Sequence, residues 1–223
     1  MKKFILVLLL CSAYNLTYAD SREYIRGKIT EWGVCKNVAI TETNGDLALY
    51  GDNGWAGSGL PRELSDALHE LHDNGETIND VCLTENGRWL LLYGNNGFRW
   101  EGIPYSLENK IREFNSDREV VISVSFNDSG EWIVIGEKHY AASSTELLNW
   151  LSEGADMYGM LWSVCITNDA AVACYEKGYR SLGDCPSLLM SRLQEADFNV
   201  YRIKIAGESF FFADKYGRYD YRM

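Results

Sequence analysis

Three prolines and three histidines are all that 223 residues contain of either. So little proline excludes a collagen-like or proline-rich extended chain. So few histidines leave few side chains that change charge near neutral pH. No hydrophobic run approaches the roughly 20 residues that a membrane-crossing helix needs; the clearest run, Phe4 to Leu10, is far shorter. Basic residues number 21 against 32 acidic ones, a formal charge of −11, and such a surface repels nucleic acid. The patterns GxxxxGK, GxGxxG, GxSxG and CxxC are all missing, so nucleotide binding, acyl transfer by a nucleophile elbow and dithiol chemistry have no motif to carry them. Nothing calls for a cofactor or a metal.

What is present suits a globular protein: 46% hydrophobic residues, 13% aromatic and 24% charged. Met1 to Ala19 reads as a secretory signal peptide of bacterial type. Two lysines precede the apolar run, and Thr17 and Ala19 stand at the −3 and −1 places, with cleavage expected before Asp20. The expectation is an exported protein of the periplasm, cell surface or medium. Cys11 is a poor lipid acceptor, because Leu10 stands where a small residue is favoured.

The remainder is built of repeats. Val81 to Phe114 echoes Val38 to Leu71 at a constant offset of 43: Val38 falls on Val81, Tyr50 on Tyr93, Gly54 on Gly97, Pro61 on Pro104 and Leu64 on Leu107. Further copies begin at Val124, Val164 and Ile203. In the second copy Val81, Leu83, Leu90 and Leu92 alternate around Asn86-Gly87, which predicts a tight hairpin. A second turn at Asn95-Asn96-Gly97 leads to a third strand from Phe98 to Glu101. Leu107, Ile111 and Phe114 then recur at helical spacing behind Pro104. One unit is therefore strand, strand, strand, helix, and the fold class is an α/β (α+β) repeat protein in a single domain over 20–223. The units fall at about 34–77, 78–118, 119–158, 159–198 and 199–223.

The fifth copy lacks a helix, yet Ile25, Ile29 and Trp32 repeat the helical spacing ahead of the first copy. A helix at about 21–33 would complete the last unit and close five units into a propeller-like ring, whereas an open solenoid favours polar caps. The expected arrangement resembles that of the pentein, or α/β-propeller, group, whose units also combine three strands and a helix. The resemblance is one of topology; no catalytic motif of that group maps onto this chain, so it implies no activity. The large residues Val38, Ile40, Val81, Leu83, Val124 and Phe126, with their later equivalents, are expected on the helix side of each sheet. Ala39, Cys82, Ser125, Cys165 and Lys204 are expected on the opposite face, where small side chains let sheets crowd together.

Five cysteines follow the leader. A two-residue turn at Asp169-Ala170 would set Cys165 directly against Cys174, as the turn at Asn86-Gly87 would set Cys82 against Leu91 in the second copy, making Cys165–Cys174 a disulfide candidate in an oxidising compartment. Two small core residues are the alternative. Cys35 and Cys185 belong to opposite ends of their units and are not paired. His69 and His72 lie opposite the Leu64, Leu68, Leu71 stripe and read as an exposed helix face.

The second-turn tips are the candidate binding surface. A ring places Trp55, Phe98, Tyr140, Tyr179 and Tyr219 in equivalent places, joined by Trp100, His139, Asp52 and Asn95. Aromatic faces among amides and acids suit a glycan, peptide or protein. The competing reading, that these aromatics start the third strands and fill core, is the favoured one residue by residue. The leading expectation is an exported, non-enzymatic binding module. The alternatives are a hydrolase or transferase using Asp52, Glu137, Glu176 and Asp214, or a structural or inhibitory partner of another exported protein.

Overall fold

A computed structural model describes residues 22–223. The expected leader, with Cys11, lies outside the described residues. Helix α1 covers 22–32. The first unit holds β1 (Asn37–Ala39), β2 (Asp46–Tyr50), β3 (Gly54–Ser58) and α2 (Arg62–Asp73). The second holds β4 (Ile78–Leu83), β5 (Trp89–Tyr93), β6 (Gly97–Glu101) and α3 (Tyr105–Ser116). The third holds β7 (Val121–Phe126), β8 (Trp132–Gly136), β9 (Tyr140–Ala142) and α4 (Thr145–Tyr158). The fourth holds β10 (Leu161–Ile166), β11 (Ala170–Tyr175), β12 (Gly178–Gly183) and α5 (Ser187–Glu195). The fifth has strands only: β13 (Arg202–Ala206), β14 (Ser209–Ala213) and β15 (Tyr219–Arg222). Each unit is one antiparallel three-stranded sheet in chain order.

The scarce prolines all do one job. Pro61, Pro104 and Pro186 stand immediately before α2, α3 and α5 with φ between −51° and −58°, where the fixed ring geometry halts the strand and no helical N–H is lost. Before α4 Ser144 takes that place, its hydroxyl accepting from Leu147 N at 3.2 Å.

Hairpin register corrects two sequence expectations. In the second unit the loop has three residues rather than two: Thr84 N donates to Arg88 O, Gly87 N donates to Thr84 O, and Gly87 takes φ +76°. That is a type I turn closed by a left-handed glycine, and it sets Cys82 against Leu90, not Leu91. In the fourth unit Thr167 N donates to Ala170 O, so Asn168-Asp169 form the turn and Cys165 faces Val172. The same register sets Cys174 opposite Ser163, and a bulge follows only beyond that pair, between Ser163 and Leu161. Cys165 and Cys174 are diagonal neighbours on one face, a Cβ separation nearer 7 Å than the 3.5–4.5 Å a disulfide needs. Both thiols are free.

The core consists of five clusters, and these correct the face assignment. Each combines one helix with the face of the sheet before it and the opposite face of the sheet after it. Around α2, Leu64, Leu68 and Leu71 pack with Leu47 and Leu49 on one side and Val81 and Leu83 on the other. Around α3, Leu107 and Ile111 meet Cys82 and Leu90 on one side and Val124 and Phe126 on the other. Large and small faces therefore both contact helices, and each sheet is buried on two sides. The first strands lie innermost: β1 neighbours β4, β4 neighbours β7, β7 neighbours β10 and β10 neighbours β13. Strand β13 also neighbours β1, and α1 contributes Ile25 and Ile29 to a cluster shared by Val38, Ala48, Phe211 and Ala213.

Candidate functional site

Where the first strands converge, the repeat places a polar residue in every unit: Asn37, Asp80, Ser123, Ser163 and Arg202, all buried. Asp80 is the hub. Its Oδ1 accepts from Asn37 Nδ2 at 2.6 Å, Lys204 Nζ at 2.9 Å and Val81 N at 2.9 Å. Its Oδ2 accepts from Ser123 Oγ and Val124 N, each at 3.0 Å. Burial works to raise the Asp80 pKa, but Lys204, Arg202 and these donors outweigh it and hold the carboxyl below its usual range. Lys204, whose charge burial disfavours, is likewise held above its ordinary value by Asp80. The pair is charged and satisfied. These interactions cross between non-consecutive units, since Lys204 Nζ also donates to Val81 O at 2.7 Å and Arg202 donates to Ile122 O at 3.1 Å.

At the first-turn end of these strands lies a cavity of about 310 Å³ to which all five units contribute. Its buried lining combines the apolar Ile40, Leu83, Phe126, Ile166 and Ile205 with the polar Thr84 and Asn127. Its rim carries Glu42, Glu85, Asp128, Asp169, Asp184 and Glu208, with no lysine or arginine in the lining. Three of these acids are already engaged. Glu85 accepts from Thr43 N at 3.2 Å and Thr43 Oγ1 at 3.0 Å; Asp128 pairs with Arg88 at 2.8 Å; Glu208 lies 3.5 Å from Arg222. Burial opposes ionisation of Asp128, yet the Arg88 guanidinium and neighbouring hydroxyl and amide groups keep its pKa below the ordinary value. Exposed Glu42, Asp169 and Asp184 complete the rim. The arrangement sets carboxylates around a largely apolar floor.

The aromatic turn set is dispersed. Trp55, Phe98, Tyr140, Tyr179 and Tyr219 are each half-buried in a different core cluster. Trp55 packs edge-on against His69, 4.8 Å between ring centroids. Phe98 stacks on Trp100 at 4.6 Å beneath the Arg112 guanidinium. Tyr219 donates to Ile29 O at 3.4 Å. Asn95 is exposed in its turn. His139 lies 2.6 Å from Glu119 Oε2, while Glu119 Oε1 accepts from Lys138 N and His139 N. Against the effect of burial, these contacts lower the Glu119 pKa, and the carboxylate ties down the second turn of the third unit.

Among the four acids of the enzymatic alternative, Asp52 and Asp214 line one cavity at the second-turn end, with Glu137 and Glu176 outside its lining. Asp214 is bound to Arg218 Nε at 2.8 Å and to Tyr216 N and Arg218 N. Sequence reasoning missed the first-turn rim, although Glu42, Glu85 and Asp128 follow one another at the 43-residue offset; Asp169, Asp184 and Glu208 fall off it. It missed the polar layer too, although those residues stand two places before the Ala39, Cys82, Ser125, Cys165, Lys204 set in every copy. Burial pushes the Cys35 and Cys82 thiols up to about 12 and raises those of Cys165, Cys174 and the partly exposed Cys185. No protein-family model matches the chain, and no curated protein matches it, so the geometry alone must carry a functional reading.

Proposed function

We propose that the five units close into a ring with α1 completing the fifth, and that the exported protein is a binding module whose first-turn mouth holds a basic peptide or protein segment. Closure is supported by the shared cluster of α1, the first sheet and the last, and by the reach of Arg202 and Lys204 into the third and second units. The cavity of about 310 Å³ carries the binding reading. A lysine or arginine lays its apolar stem on Ile40, Leu83, Phe126, Ile166 and Ile205 while its charge meets the carboxylate rim. An overall charge of −11 steers such a partner toward the protein.

Isothermal titration with lysine- and arginine-rich peptides, against a glutamate-rich peptide of equal length, tests this. The basic peptides should bind, more weakly as salt rises, and the acidic one should not. Each exposed acid contributes about 0.2–1 kcal/mol. The triple variant Glu42→Gln, Asp169→Asn, Asp184→Asn should therefore weaken binding by about tenfold. Equal affinity for acidic and basic peptides, or no loss in the triple variant, overturns the assignment.

A further inference from the structure

The second-turn end carries cations between the first and fifth units. A second cavity, of about 320 Å³, lies at the second-turn end and is lined by Lys36, Arg202, Lys215, Tyr201 and Tyr216, together with Asp52 and Asp214. Lys36 and Arg202 are placed there by the backbone. Bulges at Asn79, Ile122 and Trp162 interrupt the first two strands of three units, and a bulge leaves backbone groups without a ladder partner. Lys36 Nζ donates to Ile78 O at 2.7 Å; Arg202 donates to Trp162 O at 3.3 Å and Ile122 O at 3.1 Å. Arg202 also donates to Tyr201 O at 3.4 Å; an ammonium has three donors and a guanidinium five, so these carbonyls do not use up the donors of either cation. Arg202 lies over the Tyr201 ring at 4.3 Å, and Tyr201 packs against Trp162 at 5.5 Å. Tyr216 is 76% exposed at the rim.

We propose that this mouth is a carboxylate site, in which Lys36 and Arg202 bind the oxyanion of a small organic acid and Tyr201 and Tyr216 flank its ring. Asp214 does not compete, being committed to Arg218 and to two backbone N–H groups. Asp52 does compete, because it is exposed and its charge acts on Lys36. Two substitutions should therefore act in opposite directions.

The test follows backbone amide shifts by NMR on the intact protein, titrated separately with glucuronate, phenylacetate, glucose and inorganic phosphate. Glucuronate and phenylacetate should shift Gly51, Tyr201, Tyr216 and Gly217. Glucose should not, and phosphate, which has no ring, should act more weakly. Preference between the two carboxylates identifies a sugar acid or an aromatic acid as the natural class. Lys36→Gln should weaken carboxylate binding by about tenfold, the worth of one charge-assisted contact, and Asp52→Asn should tighten it severalfold. Shifts that are equal with glucose, absent with both acids, or unchanged in both variants overturn the proposal.

Discussion

At the scale of single residues the molecule turns on Asp80. It accepts five hydrogen bonds, from Asn37, Lys204, Val81, Ser123 and Val124, and so links its own unit to three others at the centre. Breaking a buried ion pair by removing one partner costs about 3–5 kcal/mol, but the two partners are unequal here. Lys204→Met leaves a carboxylate with four remaining donors, whereas Asp80→Asn leaves a buried ammonium facing a neutral amide and the Val81 carbonyl. Urea denaturation should therefore rank Asp80→Asn as the more damaging change, near the upper end of that range, with Lys204→Met near the lower. The double variant should lose less than the sum of the two.

The same pair sets an acid limit. The Asp80 pKa in the folded protein lies below its unfolded value of about 3.9, so the unfolded chain binds the proton more readily. The pair's contribution is complete above that value and is lost as pH falls through the folded pKa. Asp46 runs the other way: burial outweighs its Arg22 contacts and raises its pKa, so protonation favours the fold. Stability measured from pH 7 down to pH 2 should drop below about pH 4, and Asp80→Asn should flatten that drop.

At the scale of elements, helix α4 offers a direct contest between local propensity and packing. Gly154 is buried in its interior, and a Cβ there would overlap the ring and hydroxyl of Tyr175. Tyr175 is 1% exposed and donates to Leu151 O at 3.2 Å, so it has no room to withdraw. Alanine gains about 1 kcal/mol of helix propensity over glycine, while overpacking a tight core costs about 1–3 kcal/mol. Thermal unfolding should show Gly154→Ala to be destabilising. Gly27→Ala in α1, where an added Cβ meets nothing within 4 Å, should stabilise by up to about 1 kcal/mol.

Elements of this kind were readable in advance. The offset of 43 residues and the helical stripes gave three strands and a helix per unit, and each proline marked a helix start. Register was not readable, because Thr84-Glu85-Asn86-Gly87-Arg88 suits a two- or a three-residue loop equally well. One residue of difference exchanges every cross-strand partner. Half of the candidate site was hidden for a related reason: Glu42, Glu85 and Asp128 keep the offset of 43, but Asp169, Asp184 and Glu208 fall off it and join the rim only through the fold.

At the scale of the whole molecule, the proposed closure joins the two ends of the described chain. Arg26 donates to the carbonyl of Met223 at 3.2 Å, Cys35 N donates to Gly217 O at 3.0 Å, and Arg22 donates to Ser209 Oγ at 2.5 Å. Residue 22 is about one helical turn from Arg26, or some 6 Å, so a short glycine-serine linker can connect Met223 to it. The return after α2 is exposed from His72 to Glu76 and offers a place for new ends between Asn74 and Gly75. A circular permutant built this way keeps every interface of a closed ring and interrupts only an exposed return. It should unfold in one cooperative urea transition with an unchanged m-value and within about 1 kcal/mol of the parent. An open stack would respond differently, because the linker would drag its first helix and last sheet out of place. A lower m-value or two separate transitions would then show that the contacts of α1 with the last sheet do not hold the molecule shut.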